Sequence, residues 1–495
     1  MNSTERIFLS LEQPGYPIDV VGIFMLAGDE SGPLPFEHVR QRMATRVHSL
    51  PIFWRKVAHA PLGIGEDRWV QAASLNIDDH LRQVTVPAPG DMRAVLDLIL
   101  ELTKDPLDRS LPLWDAWHIE GLADGRTALV LRTHHAVVDG VGGMEVNEAL
   151  FDRVPVPVDF SLSPSDIQGE PEAGVVTRAL REVPDRLARE VVATTRIVKA
   201  TSRMLATVHL RTRLRRMASA ALSPIGIATV NRPARFAVPG WPKYVPAPVG
   251  HPPKTLFNRH VSEPDKSFAV IDLPFEQIQQ VRAGHPGATI NDVLLTLVTG
   301  TLREYLKAHD DLPDRPLWTT CPVNTRSGDE AHGEGNNFTT MWVELPVHLD
   351  SPRARLDAVH TSSAAAKDGL PNAEAQWDAL ANIGDLLLPG VVHAAMAFAG
   401  TSVFEYIPPT LNLTVSTMRG PRVLRYFAGR KIDNFYGRMI ICPPVHLFFH
   451  SVTYNGMVEF GVTSVKQLVP DPDVLAEGLR RELDRLLAAI AQTTA

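Results

Sequence analysis

Thr133-His134-His135-Ala136-Val137-Val138-Asp139-Gly140 follows directly on the apolar run Ala128–Leu131, and it carries the clearest chemistry in the chain. A hydroxyl is a poor nucleophile at neutral pH and needs a base within hydrogen-bond reach before it can be acylated. Neutral imidazole, ordinarily titrating near ~6.5, suits that task, and a positioned base contributes roughly 10²–10⁴-fold. A short loop after a strand holds such a ring rigidly, and a carboxylate four residues on, Asp139, can brace the loop. Gly140, Gly142 and Gly143 give backbone freedom where bulk would close a site. Two adjacent histidines are by themselves ordinary surface or core residues. They make no convincing metal site, because consecutive strand residues face opposite ways and no His-Glu-x-x-His or Cys/His cluster accompanies them.

The elements that must position this string read clearly in places. Residues Gly15 to Ala27 are β-branched and apolar, as in a buried strand. Helical spacing covers Phe36 to Val47, Met92 to Leu102 and about Gly142 to Leu150. Two short strands between Trp114 and Leu131 flank the turn cluster Gly121–Gly125. After Lys254 the pattern predicts strands at 268–273, 318–323, 339–345, 411–416 and 445–454, and helices at 275–282, 291–307 and 475–489. Strands and helices in both halves, without a phosphate-binding βαβ fingerprint, predict a mixed α/β (α+β) architecture in two lobes of similar size.

Length and charge narrow the class. At 495 residues the chain is too long for one ordinary core. With 49 Lys+Arg against 56 Asp+Glu, it has no overall basic excess with which to track nucleic acid. Cys321 and Cys442 are far apart and form no CxxC pair, and Met1 to Arg6 lacks the start of an export signal, so a cytoplasmic setting is expected. Residues 1–160 form the expected first lobe, 161–253 a proline-rich and basic helical linker, and 254–495 the second lobe. Arg178 to Arg216 holds 11 Arg or Lys against three acids. It reads as a solvated bridge between lobes or as a cationic face near anionic lipid. Leu386 to Phe404 is apolar but interrupted by Pro389, Gly390, His393 and Gly400, which argues for a buried or interface-lying helix rather than a span.

His134-His135-Ala-Val-Val-Asp139-Gly140 resembles the signature of the bacterial wax ester synthase/acyl-CoA:diacylglycerol acyltransferase family. Further blocks follow in the family's order along nearly the whole chain: Glu5–Leu9, Pro112-Leu113-Trp114, Asn291-Asp292, Pro322-Val-Asn324-Thr-Arg326, Gly335-Asn-Asn337 and Tyr454-Asn-Gly456. Condensation domains share the histidine string, so the Pro-Leu-Trp and Asn-Asp blocks give the narrower resemblance. One run departs. Ser416-Thr-Met-Arg-Gly420-Pro421 stands where the family has Ser-Asn-Val-Pro-Gly-Pro, which bears on substrate choice.

The resemblance implies two chloramphenicol-acetyltransferase-like lobes around a central channel. It implies an O-acyltransferase in which His135 is the general base, His134 supports it and Asp139 braces the loop through an arginine. Gly140, Asn291 and Asp292 would support the site, with helix capping as the plainer role for Asn291. Pro112, Trp114, Ser416 and Gly420 would line the channel. The donor would be acyl-CoA as co-substrate and the acceptor diacylglycerol or a long-chain alcohol, with no metal or other cofactor and with peripheral contact to membrane or lipid inclusions. An acyl carrier protein as donor, or a non-catalytic protein coating lipid inclusions, are the alternatives. His446 and His450 read as ordinary core or surface histidines.

Overall fold

The computed structural model describes residues 1, 3–30, 32–48, 50–59, 67–138, 140–156, 252–324, 338–368, 401–402 and 409–494. Asp139, the segment Arg178 to Arg216, nearly all of the linker 161–253 and of Leu386 to Phe404, Arg326 and 335–337 lie outside them.

The first part of the chain runs α1 (Ser3–Leu11), β1 (Asp19–Leu26), α2 (Phe36–His48), β2 (Arg55–Ala58), β3 (Arg68–Gln71), β4 (Leu81–Thr85), α3 (Met92–Leu102), β5 (Trp114–Glu120), β6 (Thr127–His134) and α4 (Gly140–Leu150). The second runs β7 (Lys266–Pro274), α5 (Phe275–Ala283), α6 (Ile290–Ala308), β8 (Leu317–Asn324), β9 (Phe338–Leu345), α7 (Pro352–Asp368), β10 (Leu413–Arg419), β11 (Tyr426–Phe427), β12 (Arg430–Arg438), β13 (Phe448–Tyr454), β14 (Met457–Val465) and α8 (Asp473–Thr494). The strands make two mixed six-stranded sheets, ordered β11-β12-β1-β6-β5-β4 and β7-β14-β13-β10-β8-β9, with β2 and β3 as a separate pair. The architecture is α/β in two lobes, as the sequence predicts.

Helix α6 shows how the pattern becomes packing. Thr289 and Asp292 close a reciprocal capping box at its start, with Thr289 N–H donating to Asp292 Oδ2 at 2.9 Å and Asp292 N–H to Thr289 Oγ1 at 3.2 Å. Its apolar stripe (Val293, Leu294, Leu297, Val298, Leu302) is buried in the core of the second lobe beneath α8.

Strand β12 is the most consequential of the elements the sequence reading does not name, which also include β2 to β4, β14, α1 and α7. The expected second lobe, 254–495, does not keep to itself, because β11 and β12 leave it and join the first sheet. There β12 pairs antiparallel with β1, setting Gly22 opposite Gly437 and Val21 opposite Arg438. The side chains of β12 also grip the second sheet. Asn434 Nδ2 bridges Asp272 Oδ2 and Glu459 Oε1, both at 3.1 Å, and Phe435 N–H donates to Glu459 Oε2 at 2.7 Å. Tyr436 Oη donates to Asp272 Oδ2 at 3.1 Å. Held on both faces, Arg430-Lys-Ile-Asp-Asn-Phe-Tyr-Gly-Arg438 alternates only over its first four residues and is buried throughout its last four, so no sustained in–out period betrays a strand.

Beside this crossover lies a buried charge cluster. Arg438, fully buried, donates from Nη2 to Asp19 Oδ1 at 2.6 Å across 419 residues of sequence. Arg132 approaches Asp19 Oδ2 at 3.5 Å and donates to Asp115 Oδ2 at 2.6 Å. Burial alone would raise the Asp19 pKa, but Arg438, Lys266 and Arg132 pull it below the usual carboxylate range. Removing one partner of a buried pair costs roughly 3–5 kcal/mol. Asp19→Asn should therefore lower the unfolding free energy by about that much in a denaturant titration; a change under about 1 kcal/mol would show that the cluster does not hold the strands.

Candidate active site

Strand parity decides what each histidine does. Along β6 and just beyond it, Leu131, Thr133 and His135 face a cavity of about 950 Å³, whereas Arg132 and His134 face away from it. The cavity lies between the two sheets. Its walls come from β1 (Val20, Gly22, Phe24), from β12 and the turn after it (Phe435, Gly437, Met439) and from β10 (Ser416, Thr417, Met418). His135 is half-buried there. Its backbone N–H donates to Ile18 O at 2.9 Å, and the ring packs on Phe8 of α1 with centroids 4.3 Å apart.

His134 is buried behind the wall. Its Nδ1 accepts the Ala136 N–H at 3.0 Å, which places the proton of the neutral ring on Nε2. That nitrogen lies 3.7 Å from Glu12 Oε1, while Glu12 Oε2 accepts from Arg109 at 2.8 Å. Burial, with Arg109 adding to it, pushes His134 down to about 3. His134 is thus a neutral strut that fixes the turn carrying His135.

The other expected residues divide. Trp114 lines the cavity; its Nε1 donates to Phe53 O at 3.0 Å and its ring stacks on His80 at 4.2 Å. Ser416 lines it too, while Pro112 and Gly420 do not. Pro112 is buried next to Trp114, and a side chain at Gly420 would run into Thr453 O, so that glycine serves close strand packing. Gly140 opens α4. Asn291 accepts from Thr417 Oγ1 at 2.8 Å, tying α6 to the cavity strand β10 rather than to the histidine turn. The helix-capping role weighed for Asn291 belongs to Asp292, which also accepts a bond from His360 Nδ1 at 2.9 Å. Thr417 is one of the departures from the expected run, and its hydroxyl reaches Asn291.

Sequence reasoning missed Phe8, Glu12 and His450. Phe8 lies inside the noted Glu5–Leu9 block, but nothing in its spacing singles it out. His450, expected to be an ordinary core or surface histidine, is buried on β13 and also lines the cavity.

Residues 1–294 match the wax ester synthase/diacylglycerol acyltransferase catalytic domain, and residues 334–487 match the C-terminal domain of the same family. The chain belongs to that family. The protein is an acyltransferase of the kind that makes triacylglycerols or wax esters. It is similar to a putative diacylglycerol O-acyltransferase of Mycobacterium tuberculosis, 28% identical over 98% of this chain and 90% of that one. A counterpart in Mycobacterium bovis is 27% identical over 99% of both chains. Among solved structures, the wax ester synthase/diacylglycerol acyltransferase of Marinobacter aquaeolei shares the fold, with a TM-score of 0.63 at 22% identity over 99% of both chains. The first condensation domain of the CDA synthetase shares it at 0.51 and 14% identity, covering 100% of this chain and 96% of that one. The two-lobed acyltransferase fold implied by the resemblance is the one observed.

The acyltransferase keeps three histidines neutral by burial: His134 at about 3, and His446 and His450 at about 4, against 6.5 ordinarily. Between these values the unfolded chain binds protons that the folded chain refuses. Their contribution is therefore complete above about pH 6.5 and is lost as pH falls. Glu459 works the other way: burial raises it to about 9, so its contribution fades as pH rises from 4.5. The histidines' share of the pH dependence is a fall in stability on acidification from about pH 6.5 to 4.5. His80 and His118, which burial also lowers, share that sense, and Asp272, Glu344 and Glu482, which burial raises along with Glu459, oppose it. His134→Asn, which can still accept from Ala136 N–H, should flatten that slope in melts across the range; an unchanged slope would contradict a neutral His134.

Proposed function

We propose that this acyltransferase moves a long acyl group from a thioester of coenzyme A to the hydroxyl of diacylglycerol or a long-chain alcohol, with His135 as general base. The single observation that carries this reading is the placement of His135 on the wall of a large, mainly apolar cavity between the lobes. His135 would take the acceptor's hydroxyl proton as the oxygen attacks the thioester carbonyl. Collapse of the tetrahedral intermediate then breaks the C–S bond, and the imidazolium returns the proton to the departing thiolate. Proton and charge balance at each step.

The cavity suits lipid. Its volume is at the upper end of the roughly 300–1,000 Å³ usual for ligand sites, and each methylene buried is worth about 0.8 kcal/mol. Arg419 lines the cavity yet is exposed, a cation at the rim that favours the phosphate-bearing head of a thioester donor. No helix among the described residues is long and apolar enough to cross a membrane. In this reading lipid substrates are reached at membrane or inclusion surfaces, with the basic run Arg178 to Arg216 as the cationic contact.

His135→Ala should lower ester formation from palmitoyl-CoA at least ~10²-fold, read as lipid products, with an unchanged melt. Near-normal turnover in the folded variant would reject the assignment. Replacing Arg211, Arg213, Arg215 and Arg216 by Gln should weaken co-sedimentation with anionic vesicles, and the wild-type binding should fade as salt rises. Salt-insensitive binding would reject the electrostatic contact.

A further inference from the structure

We propose that His450 is a specificity-determining residue: its imidazole hydrogen-bonds an uncharged oxygen on the substrate at the end of the cavity remote from His135. The site would then prefer chains bearing an ester, hydroxyl or keto oxygen at that depth over unbroken hydrocarbon. This rests on the acyl-transfer reading and deepens it.

The ring sits where the two sheets pack tightly, Gly437 of the first against Gly461 of the second. It projects from β13, whose backbone pairs His450 with Ser416 on one side and Gly461 on the other. A Cβ on Gly437 of β12 would stand 2.5 Å from His450 Cδ2, and one on Gly461 would stand 2.3 Å from Gly437 O. Only glycine leaves room for the ring at this point, so the first sheet is thinned to receive it. The cavity lining is mainly apolar, with Phe24, Met418, Phe435, Met439 and Phe448, while Thr414, Ser416 and Thr417 of β10 supply hydroxyls on the neighbouring strand.

A buried histidine of the core normally has its nitrogens hydrogen-bonded. His450 is 2% exposed, and its Nδ1 has no hydrogen-bond partner among the described residues. Leaving such a group unmatched costs roughly 1–3 kcal/mol. Burial holds the ring neutral, down to about 4, so it has one donor and one acceptor nitrogen, and it complements an uncharged oxygen better than a carboxylate or a phosphate. The ring lines the cavity while Nδ1 itself is shielded, so an occupant meets the ring at its other nitrogen, Nε2.

The depth follows from β1. Ile18 takes the His135 N–H, and Gly22, four residues on, lies opposite Gly437. At about 3.3 Å per residue the two are separated by about 13 Å along the strand. A second base for the reacting hydroxyl is therefore not what His450 provides.

The oxygen can belong to the acyl chain or to the acceptor, and two pairs of substrates separate these. One compares a mid-chain hydroxyacyl-CoA with its unsubstituted parent on one plain fatty alcohol. The other compares a diacylglycerol with its dialkyl ether counterpart, using one plain acyl-CoA. In His450→Phe the kcat/KM preference for the oxygenated member should fall about tenfold in one pair, equal to about 1.4 kcal/mol. The pair that responds identifies the source. His450→Gln, which keeps a donor and an acceptor, should retain part of the preference and serves where the Phe variant fails to fold. Unmoved ratios in both pairs would overturn the proposal, even if every rate fell. The same comparison is made by binding of the hydroxy and plain fatty acids, and of the diester and diether, to His135→Ala protein. A preference lost there on adding His450→Phe supports the proposal independently of turnover, and binding without preference opposes it. Absence of turnover by the wild-type protein would count against acyl transfer instead.

Discussion

One buried carboxylate ties the two ends of this chain together. Asp19 begins β1, pairs in register with His134 and holds Arg438, which arrives on β12 from the other half of the sequence. The pair sits within the order β12-β1-β6, and that order makes the cavity wall: β1 is its centre, flanked by β12 on one side and by β6, which carries His135, on the other. A buried charge on either side alone would be costly, so each strand is stable in place only with the other present. The late hydrogen bonds from Asn434, Phe435 and Tyr436 to Asp272 and Glu459 then lock the second sheet onto the same strand.

The reactive string, most helices and several strands are legible in the sequence because each has a local cause. Apolar spacing marks α3 and α6, and a strand followed by His134-His135 marks the site. What is not legible depends on partners distant in the chain. Strand β12 is held on both faces, so its side chains follow the needs of two sheets rather than a period of two. Asn291 and Asp292 are neighbours, and only the fold shows that the carboxylate caps the helix while the amide reaches Thr417. Pro112 and Gly420 belong to recognisable blocks but serve packing next to the cavity. His450 looks like any core histidine until β12 and β13 are brought together.

Most of the cavity lining is uncharged, with Arg419 at its rim. His450 in the lining and His134 behind it are kept uncharged by burial, and the lining is largely apolar, so the half-buried imidazole of His135 stands in surroundings that suit long hydrocarbon. Rigidity comes from behind the wall, where Ala136 N–H, Glu12 and Arg109 surround His134 and Phe8 packs on His135. Stability and function draw on the same residues here. The cluster around Asp19 lies on β1, the strand whose neighbour β6 carries His135, the proposed base.

The most direct test of the account is a crystal structure with a non-transferable thioether analogue of acyl-CoA and a long-chain alcohol bound together. The account predicts the acyl chain in the cavity between the sheets and the alcohol oxygen about 2.6–3.2 Å from a ring nitrogen of His135, beside the carbon that stands for the thioester carbonyl. A ligand outside this cavity, or an alcohol oxygen turned away from His135 with another side chain at hydrogen-bond distance, would contradict it.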